Sequence, residues 1–202
     1  MVRIVGVQGS PRKSRNTETL LRHALAAAEE AGAETELVNL AELNVKPCVG
    51  CNTCVREKRC PLDDEDDMGA VKEALLSADG VVFASPSYFG AVPGLLKNVM
   101  DRSRSLKMDG YRLRDKVVSA VAVAGLRHGG AERVAESITH FGLTHGMIAV
   151  GGCGDPLSEA HYGTASLQGD AGWRRVGDDE IGLNYAAGVG RRVAEVAAAL
   201  KR

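Results

Sequence analysis

Short apolar runs alternate with amphipathic segments along most of the chain. The runs lack the in–out alternation of a half-exposed strand, so they predict strands that are covered on both faces. The five predicted strands are Val2–Val7, Glu34–Leu40, Gly80–Ala84, Lys116–Ala124 and Met147–Val150. Apolar residues spaced three and four positions apart predict helices at Asn16–Ala31, from Asp66 or Asp67 through Leu76, from Pro93 to about Asp101, at Ala131–Phe141 and at Ile181–Leu200. A polar, glycine-rich loop is predicted at Gly151–Asp179.

The regular alternation of strands and helices predicts an α/β fold with a doubly wound, five-stranded parallel sheet and helices on both faces. Lys116–Ala124 is the longest apolar run, and we expect it to be the central strand. The 202 residues contain no internal repeat or low-complexity linker, which fits a single domain over residues 1–202. Ligands of such sheets bind beyond the carboxyl ends of the strands, so the informative residues should directly follow strands one, three and four.

Charge and composition argue against several classes of protein. The chain has 25 basic and 26 acidic residues, a balance that disfavours binding nucleic acid by phosphate neutralisation. No stretch approaches the ~20 apolar residues of a membrane span, and the first residues do not resemble an export signal. We therefore expect a cytoplasmic protein without nucleic-acid or membrane partners. In that reducing compartment cysteines bind metals or do redox work more often than they form disulfides.

The loop after the first strand has the composition of an anion site. It reads GSPRKSRNT from Gly9 to Thr17 and leads directly into a helix, so hydroxyls, backbone N–H groups and a helix N-terminus can point at one spot. The loop matches neither a Walker A motif nor G-x-G-x-x-G, and it has no cysteine that could act as a phosphatase nucleophile. The alternative is a simple turn in which Asn16 caps the helix.

Four cysteines follow the second strand with the spacing C-x2-C-x2-C-x5-C. They are Cys48, Cys51, Cys54 and Cys60. Thiolates at steps of three surround one centre in ferredoxin-type loops, and the fourth can complete a cubane. Zinc sites more often use two C-x2-C pairs separated by a dozen or more residues, and disulfides are disfavoured by the compartment. The spacing favours an iron–sulfur cluster over zinc or free thiols.

Four segments together resemble a known family. GSPRKSRNTETLL, CVGCNTCVREKRC, DDM and ASPSYFGAVPGLLKNVMDR are similar to the NADPH-dependent FMN reductase group of flavodoxin-like proteins, and the cysteine loop is similar to that of the iron–sulfur flavoproteins in particular. The resemblance runs from Val2 to about Asp101 and weakens through GLRHGGAERV toward the C-terminus. It implies a flavodoxin-like fold, with the cysteine loop (residues 47–61) inserted after the second strand.

The resemblance also implies two cofactors and their ligands. The FMN phosphate would be held by Ser10, Arg12, Ser14, Asn16 and Thr17. The flavin ring would lie along Pro86, Ser87, Tyr88, Phe89 and Gly90, since a Pro–aromatic–Gly turn provides a flat apolar wall and backbone donors; a tight turn that merely shields the sheet edge is the alternative. A third loop, with Gly125, His128 and Gly129, would pass near the pyrimidine edge. A [4Fe–4S] cluster would be bound by Cys48, Cys51, Cys54 and Cys60.

These features predict a flavin-dependent oxidoreductase that transfers electrons between a redox partner and an acceptor through FMN and the cluster. The cofactors carry the chemistry, so no side chain is assigned as a general acid or nucleophile. The donor would be NAD(P)H or a ferredoxin-like protein, and the protein would form a homodimer or homotetramer that shields the cluster. Two alternatives stay open: an NAD(P)H-dependent FMN or quinone reductase with a structural cysteine loop, and a zinc-stabilised FMN-binding module without turnover.

Other polar or aromatic residues receive no role in the sites. The acidic run Asp63–Asp67 is interpreted as the favoured charge at a helix N-terminus rather than a calcium loop. Trp173 is interpreted as a buried loop anchor or a subunit contact, and Cys153 as a small buried residue. The residues interpreted as ordinary surface or solvated positions are Glu132, His140, His145, His161, Tyr162, Arg191 and Arg192.

Overall fold

A computed structural model describes residues 1–201, and for His161 the backbone only. Its strands are β1 (Arg3–Gln8), β2 (Glu34–Asn39), β3 (Gly80–Pro86), β4 (Val117–Ala124), β5 (Ile148–Ala149), β6 (Thr164–Ser166), β7 (Gln168–Gly169) and β8 (Gly172–Trp173). Its helices are α1 (Asn16–Glu30), α2 (Thr53–Glu57), α3 (Met68–Ser77), α4 (Gly94–Arg102), α5 (Arg104–Met108), α6 (Ala131–Thr144) and α7 (Glu180–Leu200). The α/β fold and every predicted strand position are confirmed.

The main sheet is parallel and runs in the order β2-β1-β3-β4-β5. The chain reverses its direction of winding between β1 and β3, so the loops after these two strands open side by side. The prediction that Lys116–Ala124 is the central strand is wrong, because β3 holds the middle position and β4 lies one place outward. Both strands are covered on both faces, so their apolar composition alone cannot distinguish them.

The outermost strand is split, which the predicted loop at Gly151–Asp179 missed. β5 pairs with Val117 and Val118 of β4, and β6 pairs with Ala122–Ala124 farther along the same strand. The intervening segment leaves the sheet and returns, so β5 and β6 are two halves of one fifth strand. The same predicted loop also contains the small antiparallel hairpin β7–β8.

Two apolar layers cover the sheet. On one face Leu20 and Leu21 of α1 pack with Val189 and Val193 of α7, all fully buried. The helices approach so closely that a β-carbon on Gly190 would stand 1.8 Å from the carbonyl oxygen of Ala24. On the other face, side chains of α3, α4 and α6 surround Phe83 of β3. The clamped sheet is a rigid base for the loops at its carboxyl edge.

One residue interpreted as a surface position belongs to this second layer. His145 is 3% exposed, its Nε2 lies 3.0 Å from Ser103 Oγ, and its ring packs 4.8 Å from that of Phe141. Burial, with a smaller contribution from the charge of Lys107, lowers the pKa of His145 to about 4. The surface interpretation of His145 is therefore wrong, whereas Glu132, His140 and Arg191 are exposed as expected.

None of the helices within residues 1–201 is both long enough and apolar enough to span a bilayer.

Candidate functional site

The loop after β1 is shaped by a glutamine at the end of the strand. Gln8 is fully buried, its Oε1 accepts the N–H of Ser10 at 2.5 Å, and its Nε2 donates to the carbonyl of Arg12 at 3.1 Å. Ser10 Oγ in turn accepts the N–H of Arg12 at 3.1 Å. The turn is thus defined by neighbours in the sequence. Sequence reasoning missed Gln8, although a polar residue ending an apolar strand is the signal that would have found it.

A buried carboxylate secures the other end of this loop. Glu18 accepts the N–H of Ser14 at 2.8 Å and pairs with Arg22 at 2.7 Å. This contact holds Ser14 in the left-handed region, at a φ of 50°. The first turn of α1 is then left open, since Arg15 at the N-cap makes no side-chain cap. Asn16 accepts the N–H of Val176 through Oδ1 at 3.2 Å. Because this oxygen is engaged, the amide NH₂ is the part of the side chain that can donate a hydrogen bond.

Loops from three strands meet around one cavity of about 220 Å³, here called the flavin cavity. Its lining residues are Ser10, Arg12, Arg15, Asn16, Thr17, Pro86, Ser87, Tyr88, Val123, Gly125 and Leu167. The open N-terminus of α1 and two exposed arginines lie among them, as an anion requires. Proline, tyrosine, valine and leucine side chains supply an apolar wall. The residues present therefore fit a ligand with a phosphate and a flat ring, such as FMN.

The structure brings most predicted cofactor residues to this cavity, but not all of them. Ser14 lines a separate cavity beside Glu18 and Arg22. Phe89 and Gly90 form the tip of the turn, with φ values of 54° and 77°, and the ring of Phe89 is fully exposed. Arg15, Val123 and Leu167 were not predicted. Arg15 is a further cation beside Arg12, whereas Val123 of β4 and Leu167, between β6 and β7, reach the cavity only through the fold.

His128 and Gly129 line a neighbouring cavity rather than the flavin cavity. This neighbouring cavity, of about 230 Å³, includes Glu132, Arg174 and Asp179. The loop that carries His128 is tied to the turn after β3, because Ser87 Oγ donates to the carbonyl of Gly129 at 2.6 Å. The side chain of His161, left without a role by the sequence, lies outside the described residues.

The hairpin β7–β8 lies over the loop that follows β4. Trp173 is 68% exposed, so the interpretation of a buried anchor is wrong. Its Cη2 and Cζ3 atoms lie 3.6 Å from where a β-carbon on Gly125 would be, which places the indole at the rim of the flavin cavity.

The four predicted ligand cysteines surround a separate small space, here called the cysteine hollow. Cys48, Cys51, Cys54 and Cys60 line it together with Pro61, Leu62, Asp101, Arg102 and Arg104. All five cysteines of the chain are free, and Cys153, interpreted as buried, is instead exposed. The loop curls around the hollow through left-handed residues at Gly50, Asn52 and Lys58. Hydrogen bonds from the side chain and backbone of Thr53 lower the pKa of Cys51.

A buried arginine, which sequence reasoning missed, anchors this loop. The Arg102 side chain is fully buried, pairs with Asp63 at 2.8 Å and with Asp66, and donates to the carbonyl of Lys46 at 3.3 Å. Burial acts to raise the pKa of Asp66, but the hydrogen bonds from Arg102 and from two backbone amides outweigh it, so this pKa lies below its ordinary value. Asp63 and Asp66 therefore serve as partners of Arg102 rather than only as favourable charge at a helix start. No isolated sequence signal marks Arg102, since one arginine ending a helix is common.

Four thiolates around one hollow are a donor set that fits an iron–sulfur cluster. Among the side chains that the structure describes, no group of three or more His, Cys, Asp or Glu residues is placed to hold a metal ion. A cubane needs four thiolates that each reach a different iron. Arg102 also lines the hollow. Its Nε–H is buried and has no hydrogen-bond partner among the described residues, so it is available to donate a hydrogen bond near the thiolates.

A larger cavity shares no lining residue with the flavin cavity or the cysteine hollow. It measures about 620 Å³ and opens beside the split strand, between Ser119, Thr139 and Tyr185. None of the predicted site residues lines it.

Known proteins resemble this chain in both sequence and fold. The sequence model of the NADPH-dependent FMN reductases matches residues 2–160. An iron–sulfur flavoprotein of Methanocaldococcus jannaschii is 43% identical over 201 residues, covering 100% of both chains. An iron–sulfur flavoprotein of Archaeoglobus fulgidus is 38% identical over 200 residues, covering 99% of this chain and 98% of the relative.

Solved structures agree on the fold. A flavone reductase superposes with a TM-score of 0.71 at 20% identity, over 100% of this chain and 65% of its own. An NAD(P)H:quinone oxidoreductase of Methanothermobacter marburgensis superposes with a TM-score of 0.66 at 22% identity, over 95% and 94% of the two chains.

Proposed function

The chain belongs to the NADPH-dependent FMN reductase family of flavin-dependent oxidoreductases, and we propose that within this family it is an iron–sulfur flavoprotein. It binds one FMN in the flavin cavity and one [4Fe–4S] cluster in the cysteine hollow, and it passes electrons between a redox partner and an acceptor. The observation that carries this proposal is that Cys48, Cys51, Cys54 and Cys60 line one hollow. The full-length relatives that are named iron–sulfur flavoproteins support it.

The chain's own residues account for binding and orientation of FMN. The open first turn of α1, with Arg12 and Arg15, would receive the phosphate. Pro86, Tyr88 and Leu167 would exclude water from the flavin ring. When bound, FMN supplies exchange of one or two electrons and the cluster supplies exchange of one. The protein contributes position and electrostatics, and no proton transfer by a side chain is required.

Metal analysis decides between the cluster and a zinc site. Zinc would bring all four sulfurs to about 2.3 Å from a single ion, whereas a cubane spreads them over four irons. Protein purified without oxygen should contain about four irons and four sulfides per FMN. Zinc without iron in that preparation would contradict the proposal and favour the zinc-stabilised module. Iron-free, zinc-free protein that oxidises NADPH would favour a reductase with a structural cysteine loop.

Ligand preference tests the flavin cavity separately. The cavity offers one phosphate-binding turn and no glycine fingerprint for an adenylate, so FMN should bind more tightly than FAD or riboflavin. Competitive titration of the apoprotein measures this order. Equal affinity for riboflavin and FMN would remove the phosphate from the proposed place.

A homodimer or homotetramer is part of the proposal. Val49, beside the cysteines, and Phe89, at the flavin turn, are large apolar side chains exposed to water. A neighbouring subunit would cover them and shield the cluster from oxygen. Free thiols persist in a reducing environment, so we assign the protein to the cytoplasm, with NAD(P)H or a ferredoxin-like protein as donor. A monomer at micromolar concentration in light scattering would contradict the oligomer.

A further inference from the structure

The hairpin β7–β8 is fastened to the loop after β4, on the rim of the flavin cavity. The N–H of Arg127 donates to Gln168 Oε1 at 3.0 Å, and the Arg127 guanidinium pairs with Asp170 at the hairpin turn. The strand leading into the hairpin is held as well, since Leu167 donates to the carbonyl of Ala124 at 3.0 Å. Leu167 lines the cavity. The hairpin is therefore fastened directly beside Leu167 and Gly125, two residues that line the flavin cavity.

Trp173 is the single tryptophan of the chain, and this hairpin presents it to solvent. Its partner across the hairpin is Gln168, whose side chain is occupied by Arg127. The six-membered ring of the indole approaches Gly125, where a β-carbon would stand 3.6 Å from two of its atoms. A β-carbon at that distance would make an ordinary van der Waals contact, so the indole lies directly against the loop whose Gly125 lines the cavity. A large aromatic surface at the rim of a cavity suited to a flat ring is well matched to stacking.

We infer that Trp173 is a positioning residue for the flavin, whose indole packs against the isoalloxazine ring on the Gly125 side of the cavity. This inference rests on the proposed binding of FMN in the flavin cavity. Gly125 was expected near the pyrimidine edge of the ring, so the contact falls at that end. The hairpin then acts as a wall that Arg127 holds in place, and Trp173 contributes to affinity for the ring and not for the phosphate.

Ligands that share the ring but differ in the tail separate this role from others. We propose measuring dissociation constants of FMN, riboflavin and lumiflavin for wild-type apoprotein, Trp173→Ala, Trp173→Phe and Arg12→Ala. Trp173→Ala should weaken all three ligands by the same factor, roughly tenfold, as expected for a lost aromatic contact. Trp173→Phe should recover most of that loss. Arg12→Ala should weaken FMN alone, because only FMN carries the phosphate.

A spectroscopic signature accompanies the affinities. An indole in contact with the isoalloxazine quenches flavin emission, so FMN bound to Trp173→Ala should fluoresce more strongly than FMN bound to wild type. Tyr111→Ala is the matched control, since Tyr111 is a half-exposed aromatic residue outside the cavity lining. It should change neither the affinities nor the emission. Circular dichroism of each variant verifies that it is folded.

The results distinguish failure of the Trp173 inference from failure of the proposed FMN site. Unchanged affinity for all three ligands in Trp173→Ala would overturn the inference while leaving FMN binding intact. The same holds if Trp173→Ala splits an oligomer at unchanged ligand affinity, which would make Trp173 a subunit contact. If wild-type protein binds none of the ligands, or binds FMN no better than riboflavin, the proposed FMN site fails instead.

Discussion

The flavin cavity and the cysteine hollow are held in opposite ways. The turn after β1, which we propose receives the phosphate, is shaped by neighbours in the sequence, with Gln8 bonded to Ser10 and Arg12, and Glu18 bonded to Ser14. The cysteine hollow is closed by Arg102, which reaches Asp63 and Asp66 across more than 30 residues. A locally determined loop keeps its shape when a charge is removed, whereas a loop held by one buried guanidinium does not.

The arginines of the two regions also differ in exposure and in their partners. Arg12 and Arg15 are exposed and remain available to an anion. Arg102 is fully buried and already compensated by two carboxylates, so its charge serves the fold. The comparison predicts that changes on the cysteine side act on stability and cluster content, while changes on the flavin side act on ligand affinity alone.

Loss of a cysteine should have the largest effect. Replacing Cys48, Cys51, Cys54 or Cys60 by Ser should remove or destabilise the cluster, because each iron of a cubane needs its own thiolate. FMN should remain bound, since its cavity contains none of these residues. Visible spectra should keep the yellow flavin bands and lose the broad brown absorption. Cys153→Ser is the control and should keep both, because Cys153 does not line the hollow. Loss of the cluster in Cys153→Ser but not in Cys60→Ser would reverse the assignment.

Removal of Arg102 should have the second-largest effect, a loss of stability. Arg102→Met leaves Asp63 and Asp66 without their buried partner, and breaking such a pair costs about 3–5 kcal/mol. Urea unfolding measures the loss, and iron content should fall with it. FMN affinity of the folded fraction should stay near the wild-type value. The control is Lys97→Met, which breaks an exposed pair with Asp101 on the same helix and should cost less than about 1 kcal/mol. Equal losses in the two variants would contradict the anchoring role.

Acid should lower the free energy of unfolding through His145, which lies beneath the cysteine hollow. The pKa of His145 is about 4 in the folded protein and about 6.5 when exposed. As the pH falls from 6.5 toward 4, the unfolded state binds a proton that the folded state refuses, so the free energy of unfolding decreases. The decrease from this group is at most roughly 3 kcal/mol, and above pH 6.5 it is absent.

Unfolding curves between pH 4 and 7 test the histidine directly. His145→Gln should flatten the pH dependence, while His140→Gln, which alters an exposed histidine, should preserve it. His145 contacts Ser103, the residue after Arg102, so acid weakens the packing beneath the cysteine side. An unchanged slope in His145→Gln would show that other groups govern acid sensitivity.

The smallest of these effects belongs to the phosphate turn. Arg12→Ala or Asn16→Ala should weaken FMN by about 1–3 kcal/mol, the value of a charge-assisted hydrogen bond. Stability should barely change in Arg12→Ala, because Gln8 and Glu18 hold the turn, whereas Asn16→Ala also removes the acceptor of the Val176 N–H and should cost some stability. Lys13→Ala is the control, since Lys13 pairs with Glu42 and does not line the cavity. FMN titration of the apoprotein gives the comparison, and equal loss in Lys13→Ala would make the effect one of general charge.

Several features were predictable from the sequence because they depend on short stretches of chain. The loops after β1 and β3 meet because parallel strands end at the same edge, and four of the five predicted phosphate residues line the flavin cavity. The four cysteines likewise line one hollow, as their spacing indicated. The order of strands was predicted less well, since β3 and β4 are both apolar throughout and only their neighbours decide which is central.

The sequence by itself determined the α/β alternation, the turn after β1 and the cysteine spacing, because hydrophobic period and residue spacing act over a few neighbouring residues. The tertiary structure alone decided the split of the fifth strand into β5 and β6, the burial of His145, the anchoring of the cysteine loop by Arg102 and the approach of Trp173 to Gly125. Each of these depends on contacts between residues far apart in the chain. Their energies come from desolvation and close packing, which exist only once the separate elements have assembled.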